Sequence, residues 1–386
     1  MDLTLTDEQI DFRREVRGFI EHVLTDDMRR GAVETVGPYP PLEPARAWQQ
    51  VLARRGWAAP AWPAEFGGPG FSAIERFILE SECAIAGAPQ VYPIGIRLFA
   101  PVLMRFGTPE QQARWLPRIL TDEDHWCQGF SEPSAGSDLA ALATRAVREG
   151  DHFRVNGTKL WTTHAHHADW MFALVRTSVE PHRRDGISML AIDMRSPGVE
   201  VHPIISIGGD HDVNQVFLSD VIVPADCLIG PEGQGWACAK YLLEFERGTG
   251  LFSGRLRAAL MRVEDILCAE GGNDGAYPRI AAVGAQIDVF EMLELKTLGV
   301  LPQNTAPGPI SSVLKLRSSR IKQAIAQLAF DLLGEEALVR DETLKGLLVT
   351  DYLNSRAASI FGGTSEIQLG IIARALVPHQ GQSAGA

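Results

Sequence analysis

Two changes of hydrophobic period constrain the fold of this chain more than any other feature. The chain opens with helical patterns, the first of which begins at a capping box formed by Thr6 and Gln9. From Cys127 to about Gly230 it consists instead of short strand-like pieces separated by turn residues. Long helical patterns then fill the remainder. Helices, strands and helices again predict a helical scaffold with a β-domain inserted into it.

This order predicts an α+β fold of three domains, which a chain of 386 residues can accommodate. The first is an N-terminal α-helical domain at residues 1–124. A middle β-domain follows at residues 125–232. The third, at residues 233–386, is a C-terminal α-helical domain, which we expect to be a four-helix bundle.

Charge and composition exclude several classes of function. The formal net charge of −12 argues against a general nucleic-acid or anionic-membrane binder. No apolar run approaches the roughly 20 residues of a membrane span, and the N-terminus lacks the basic start and apolar core of a signal peptide. We therefore expect a cytoplasmic protein whose five scattered cysteines are reduced.

A local group of histidines, His164, His166 and His167, is the only pattern that raises the question of a metal. Zinc sites usually show paired and well-spaced ligands, and no Cys or carboxylate lies at such a spacing here. We expect no metal, and a polar loop beside a ligand or at an interface.

Two unusual polar segments lie within the β-rich stretch, Phe130–Asp138 (FSEPSAGSD) and Leu160–Trp170 (LWTTHAHHADW). Between them, Asn156-Gly157 predicts a hairpin with a type I′ turn, because both residues tolerate positive φ. Such a hairpin would bring the two loops to one end of the sheet, where backbone N–H groups and hydroxyls face a ligand. Taken singly, Trp161 could be a core residue and Ser137 a turn or cap residue.

Three motifs in order resemble the acyl-CoA dehydrogenase family, and the resemblance covers nearly the whole chain. They are Phe130–Asp138, then Asn156-Gly157 with Lys159 and Trp161–Thr163, and then Phe361–Gln368 (FGGTSEIQ). Weaker support comes from Pro60–Gly70, Asn214–Pro224 and Gly235-Trp236. The resemblance implies FAD held between the β-domain and the C-terminal helices. It implies α,β-dehydrogenation of an acyl-CoA thioester to the trans-2-enoyl-CoA, with electrons passed to an electron-transfer flavoprotein.

Carried over from the family, each motif implies cofactor contacts. Phe130 and Ser131 would lie against the flavin ring, Trp161 would cover it, and Thr163 would donate near its N5 edge. Ser137 would lie near the pyrophosphate and the substrate. The turn from Gly363 to Glu366 would touch the dinucleotide part of FAD. The full set implied is Gln128, Phe130, Ser131, Gly136, Ser137, Trp161, Thr162, Thr163, Gly363, Thr364 and Glu366.

The resemblance breaks at the catalytic base. Many members place a Glu immediately before the Gly-Thr turn of the C-terminal motif, where this chain has Gly362. A second placement in the family, on the helix after the β-domain and just before an Arg, matches Glu246-Arg247. Glu244 would point roughly 200° away from Glu246 on a helix, so only one can face the site. We expect Glu246 to be the base, Arg247 to contact substrate and the Gly362 N–H to be an oxyanion donor. The alternative is a solvated helix face that includes both Glu residues.

Gly248, Gly250 and Gly254 interrupt what otherwise resembles one helical pattern from Ala237 to about Ala269. Each costs roughly 1 kcal/mol against Ala in a helix interior. Close helix packing is one explanation. We favour a second, in which the missing side chains widen the acyl pocket for a bulky, branched, ring-bearing, steroid-side-chain or dicarboxylic acyl group.

Two departures bear on assembly. Homotetrameric members carry an Arg-Gln pair that reaches a neighbouring subunit's FAD, and the corresponding stretch, Ala276–Ala282, lacks it. A later Gln-x-x-x-Gly-Gly element is reduced to Asp331–Glu335. The chain is thus similar to the larger, catalytic subunits of bacterial two-subunit acyl-CoA dehydrogenases, such as those acting on pimeloyl-CoA or steroid side-chain thioesters. Homo- and hetero-oligomers both stay open, as do a flavin oxidase or monooxygenase on the same fold and a non-catalytic partner subunit.

Overall fold

The computed structural model describes residues 5–33, 35, 39–248, 251–269, 275–300, 308–339 and 344–377, with the backbone alone at 244–248, 300 and 344–346. The N-terminal part is helical. Its α-helices are α1 (Asp7–Val23), α2 (Asp26–Val33), α3 (Leu42–Arg55), α4 (Ala73–Ile85), α5 (Ala100–Phe106) and α6 (Pro109–Leu120). A π-helical segment, Ile94–Phe99, leads directly into α5.

Side-chain caps fix where three of these helices begin. Thr6 accepts a hydrogen bond from the Gln9 N–H, and the Gln9 side chain accepts one from the Thr6 N–H, which completes the predicted capping box. The same reciprocal pair starts α4 at Ser72 and α6 at Thr108. The helix starts predicted from these motifs are therefore confirmed.

The middle part of the chain forms one eight-stranded sheet within the described residues. Its strands are β1 (Trp126–Gly129), β2 (Arg145–Glu149), β3 (His152–Thr163), β4 (Trp170–Arg176), β5 (Ile187–Asp193), β6 (Val199–Ile204), β7 (Val213–Pro224) and β8 (Leu228–Ile229). The order is β6-β7-β3-β2-β4-β5-β8, with β1 beside β4. The pairs β1–β4 and β2–β4 are parallel, and the others are antiparallel.

The predicted hairpin turn at Asn156-Gly157 is wrong. Both residues lie inside β3, where the register against β7 shifts between Val155 and Gly157. A Cβ on Gly157 would lie 2.7 Å from the Thr144 Cα, so the close approach of the chain selects glycine there. The turn between β2 and β3 is instead Gly150-Asp151, where Gly150 has the positive φ (65°) that the first position of a type II′ turn requires.

The C-terminal part is helical again. Its helices are α7 (Gly235–Gly248), α8 (Ser253–Ala269), α9 (Tyr277–Val300), α10 (Ile310–Leu333), α11 (Leu344–Ser355) and α12 (Ser365–Leu376). Buried residues of α8, α9 and α10 form one apolar core, against which Leu348 of α11 packs, so these four helices form the bundle. No described helix is long and apolar enough to span a membrane.

The helical pattern predicted as continuous from Ala237 to Ala269 is two helices, because α7 ends at Gly248 and α8 begins at Ser253. Gly254 then lies against α4: a Cβ on it would be 2.8 Å from the Ser81 Cα. Close helix packing therefore explains Gly254, and the wider-pocket interpretation is wrong at this position. Gly250 and the surroundings of Gly248 lie outside the described residues.

We expect Gly254→Ala to lower the free energy of unfolding by about 1–3 kcal/mol, because the added methyl group meets backbone atoms of α4 rather than a flexible side chain. Gly284→Ala in α9 is the matched control, since its Cβ would meet only the Leu260 Cδ2, at 3.8 Å. We expect this control to gain about 0.5–1 kcal/mol from helix propensity. Urea denaturation of both variants measures the difference, and equal effects would contradict the packing explanation.

Candidate active site

The two polar loops predicted to meet do meet. The segment after β1 and the last residues of β3 are joined by a hydrogen bond from the Leu160 N–H to the Ser131 carbonyl oxygen, at 2.8 Å. The first loop is closed on itself by two bonds between the backbones of Glu132 and Ala135, at 2.9 and 3.0 Å. Phe130 is buried at the start of this loop with its ring edge-on to Phe172. The predicted contact between the loops is confirmed.

A buried ion pair beneath these loops holds them together. The Lys159 ammonium lies 2.7 Å from the Glu132 carboxylate and also donates to the Leu174 carbonyl at 2.6 Å. The other Glu132 contacts are the N–H groups of Ala143 and Thr144, at 2.7 and 3.0 Å. Burial alone would raise the pKa of Glu132, but the Lys159 charge and these donors hold it below its ordinary value. The carboxylate is thus ionised at neutral pH and fully hydrogen-bonded.

Trp161 protrudes from this arrangement. The register of β3 on β7 shifts between Lys159 and Thr162, and Trp161 has a φ of 59°, which is costly for a bulky side chain. Its ring is 58% exposed. The residues after it are fixed, because the Asn214 side chain donates to the Thr162 carbonyl (3.0 Å) and the Tyr92 hydroxyl donates to the Thr163 carbonyl (3.2 Å). An exposed aromatic ring held in a strained backbone is a feature of binding sites.

The histidines after Trp161 form a stacked layer. His164 stacks on Tyr92 at 4.7 Å between ring centroids, and His166 stacks on His211 at 4.0 Å. Burial and the neighbouring histidines lower the pKa of His166 to about 4, so this ring is neutral at physiological pH. Among the described residues, no three His, Cys, Asp or Glu side chains are arranged to hold a metal ion.

The C-terminal motif forms a turn with both glycines at positive φ, 63° at Gly362 and 88° at Gly363. Two side chains donate hydrogen bonds to its carbonyl oxygens. Lys315 donates to the Gly363 oxygen at 2.8 Å, and the buried Gln368 amide donates to the oxygens of Gly362 and Gly363 at 3.1 and 3.2 Å. The N–H groups of both glycines donate to no acceptor in the part of the chain that the structure describes. Because the Gly362 oxygen and the Gly363 N–H belong to one peptide unit, the bond from Gln368 fixes the Gly363 N–H, and the Gly362 N–H is a second donor without an acceptor among the described residues.

Helix α12 begins directly after this turn. Thr364 is its N-cap, accepting a hydrogen bond from the Ile367 N–H at 3.2 Å, and Glu366 is exposed in the first turn. Helix α10, which carries Lys315, contacts both α12 and α7. The Gly362–Gly363 turn and the helix that carries Glu246 and Arg247 are thus attached to one support. The side chains of Glu246 and Arg247 lie outside the described part of the structure.

These residues fit a flat aromatic cofactor with hydrogen-bonding edges. The Trp161 ring is available to cover one face, as is Phe361 (47% exposed) beside the C-terminal turn. Ser131 and Thr163 supply hydroxyls at the joined loops, and the C-terminal turn supplies N–H groups. The remaining predicted residues, Gln128, Gly136 and Ser137, lie on β1 and in the first loop, with Gly136 and Ser137 exposed.

Three supporting residues carried no assignment in the sequence. Gln368 ends the FGGTSEIQ motif, so its position there was a usable signal. Lys315 and Tyr92 lie in stretches with no motif, and only the folded chain brings them against the Gly363 and Thr163 carbonyls. All three hold backbone oxygens, which leaves the N–H groups and hydroxyls of the site for a ligand.

Comparison with known proteins agrees with this geometry. The family described as acyl-CoA dehydrogenase, N-terminal domain, matches residues 6–123, the middle domain matches 127–221, and the C-terminal domain matches 233–377. The chain belongs to the acyl-CoA dehydrogenase family. Enzymes of this family are FAD-dependent oxidoreductases that act on the CH–CH bond of acyl-CoA thioesters.

The similar proteins include acyl-CoA dehydrogenases of Mycobacterium tuberculosis and a solved structure named as a steroid enzyme. The chain is 35% identical over 372 residues to acyl-CoA dehydrogenase IpdE1 of Mycobacterium tuberculosis, covering 94% of this chain and 96% of the relative. Among solved structures, a steroid acyl-CoA dehydrogenase, Tcur3481-Tcur3483, matches with a TM-score of 0.85 at 28% identity, covering 97% of this chain and 98% of the other. The ChsE4-ChsE5 complex of Mycobacterium tuberculosis matches with a TM-score of 0.81 at 31% identity, covering 97% and 99%.

We expect Lys159→Met to lower the free energy of unfolding by about 3–5 kcal/mol, because it leaves the Glu132 carboxylate buried without its counter-charge. Urea denaturation measures the loss. Lys322→Met is the matched control: Lys322 pairs with Asp351 at 4.0 Å near the surface, and its loss should cost less than about 1 kcal/mol. Adding Glu132→Gln to Lys159→Met should recover part of the stability. No recovery would show that the charge of the pair is not what matters.

Proposed function

We propose that this chain is the catalytic subunit of an acyl-CoA dehydrogenase acting on a bulky, ring-bearing or dicarboxylic acyl group. The observation that supports it most is the Gly362–Gly363 turn, whose carbonyls are held by Lys315 and Gln368 while its N–H groups donate to no acceptor among the described residues. In this proposal, Gly362 at the position of the usual catalytic Glu does not make the enzyme inactive. The Gly362 N–H binds the substrate, and the base lies on another helix, α7.

In the proposed mechanism the α-proton of the thioester passes to the Glu246 carboxylate. The Gly362 N–H donates to the thioester carbonyl oxygen and stabilises the negative charge that develops there as the proton leaves. The acceptor for the hydride of the β-carbon would be supplied by FAD. Arg247 and Ser137 contact the substrate, and Trp161 excludes water from the reacting atoms. We assign the cofactor contacts to the loops around Ser131 and Thr163 and to the turn from Gly363 to Glu366.

We infer a partner subunit from two features. The stretches that would contact a neighbour's cofactor in homotetrameric members are bound to each other here, through Arg279 and Asp331 at 2.6 Å. The C-terminal helical part also exposes apolar side chains, among them Val289 at 65% and Met292 at 56%. Both favour a hetero-oligomer with a second acyl-CoA dehydrogenase-like chain.

In this proposal the electrons pass to an electron-transfer flavoprotein. We place the boundaries of the three domains at residues 124–125 and 232–233.

The steroid names of the similar proteins support a polycyclic or ring-bearing acyl group. We place the reaction in the catabolism of such compounds, in the cytoplasm.

We expect Glu246→Gln to retain yellow, bound flavin but to lose at least about 10³-fold in the rate at which acyl-CoA bleaches it anaerobically, because no carboxylate removes the α-proton. Glu244→Gln is the matched control: it lies two residues away on α7, roughly 200° around the helix, and should bleach like the parent. Stopped-flow absorbance of the flavin follows the reaction.

Equal bleaching by Glu246→Gln and the parent would assign the base elsewhere. A parent that carries no flavin when purified alone, in a complex whose activity Glu246→Gln does not lower, would make this the non-catalytic partner. Reoxidation of the bleached parent by air within seconds would favour an oxidase.

A further inference from the structure

A cavity of about 270 Å³ lies between α3, α4, α8 and the chain just before the π-helical segment. Most of its wall is apolar, formed by Trp48, Leu52, Trp57, Leu79 and Val91. One lining residue, Val91, is next in sequence to Tyr92, whose hydroxyl holds the Thr163 carbonyl at the candidate site. Its volume and wall suit a hydrocarbon fragment rather than the nucleotide of coenzyme A.

Charged groups interrupt this apolar wall. Arg97, in the π-helical segment, is paired with Glu80 of α4 at 2.9 Å, and both side chains are less than one-fifth exposed. Arg255, on α8, also lines the cavity and forms no hydrogen bond or salt bridge among the described residues; the carboxylates of Glu80 and Glu294 act on it only as nearby charges. At the more exposed side, Arg262 and Asp265 contribute one charge of each sign. The lining therefore carries one positive charge more than it carries negative.

The unpaired guanidinium is Arg255. Burial and the nearby charge of Arg97 lower its pKa to about 10, so it remains protonated at neutral pH. A desolvated cation without a partner is costly, and a protein keeps one where a ligand supplies the counter-charge. Glu294 is not that counter-charge. Its carboxylate accepts the N–H groups of Phe252 and Ser253, and burial raises its pKa to about 7.

We propose that this cavity receives the distal end of the acyl group and that Arg255 binds a carboxylate there. The substrate class is then the coenzyme A thioester of a dicarboxylic acid, in which the second carboxylate lies at the far end of an apolar stem or ring. A carboxylate forms charge-assisted and often bidentate hydrogen bonds with guanidinium and neutralises its charge, which a neutral keto oxygen cannot do. The inference rests on the proposed function, since it names the substrate of the same site.

The test compares two thioesters that share coenzyme A and chain length, suberyl-CoA and octanoyl-CoA, by isothermal titration calorimetry on the FAD-loaded protein. We expect the parent to bind suberyl-CoA at least about tenfold more tightly. Arg255→Gln should abolish this preference, and Arg255→Lys should keep part of it. Arg257→Gln is the matched control, because Arg257 is on the same helix but pairs with Asp288 and Glu291 outside the cavity. It should keep the preference.

Four outcomes would overturn the proposal. The first three are no preference in the parent, a preference that survives Arg255→Gln, and equal weakening of both thioesters by Arg255→Gln, which would assign Arg255 to coenzyme A. The fourth is equal affinity for 7-oxooctanoyl-CoA and suberyl-CoA, which would replace the carboxylate by a neutral acceptor. Failure of the proposed function is separate: it appears as absent bleaching with every thioester, whereas the calorimetric ratio compares the two thioesters whether or not the flavin bleaches.

Discussion

The site depends on a single buried ion pair, Glu132 with Lys159. One partner belongs to the loop after β1 and the other to the strand that carries Trp161, so the pair fixes the distance between two segments far apart in sequence. Hydrogen bonds offset the cost of burying its two charges. The carboxylate accepts from two backbone N–H groups as well as from the ammonium, and the ammonium also donates to a carbonyl. A fully bonded pair of this kind specifies one arrangement of the loops, because any other leaves a charge buried without partners.

The C-terminal turn is likewise held in one arrangement by side chains, here through its carbonyl oxygens. Lys315 and Gln368 bind the carbonyl oxygens of the two glycines, and these bonds also fix the N–H groups of Gly363 and Thr364, which belong to the same peptide units. Positive φ at both residues is what permits this orientation, and a side chain at Gly363 would collide with Gln368. In each half of the site a buried lysine, Lys159 or Lys315, has a structural role. The groups proposed to contact the cofactor and the substrate there are backbone N–H groups and hydroxyls.

Much of this could be predicted from the sequence, and the failures have physical causes. The α, β, α order, the capping boxes and the meeting of the two loops all rest on local patterns, and they were predicted correctly. Asn156-Gly157 was mistaken for a turn because this dipeptide does favour turns. Here the glycine instead allows the close approach of the chain to Thr144. Gly254 was mistaken for a pocket-widening residue because helix packing against Ser81 is a contact between segments distant in sequence. The roles of Glu246 and Gly362 came from resemblance alone and remain proposals.

The interruption between α7 and α8 has a consequence for how such an enzyme could change during evolution. A continuous helix would tie the orientation of Glu246 to that of Arg255, two and a half turns further on. Two separate helices weaken that coupling: α7 contacts β5 and α8 packs on α4 and α9, although both helices contact α10. On the roles proposed for Glu246 and Arg255, substitutions along the first turns of α8 can then alter which acyl groups are accepted with little effect on proton abstraction. New substrate ranges would arise on an unchanged reaction centre.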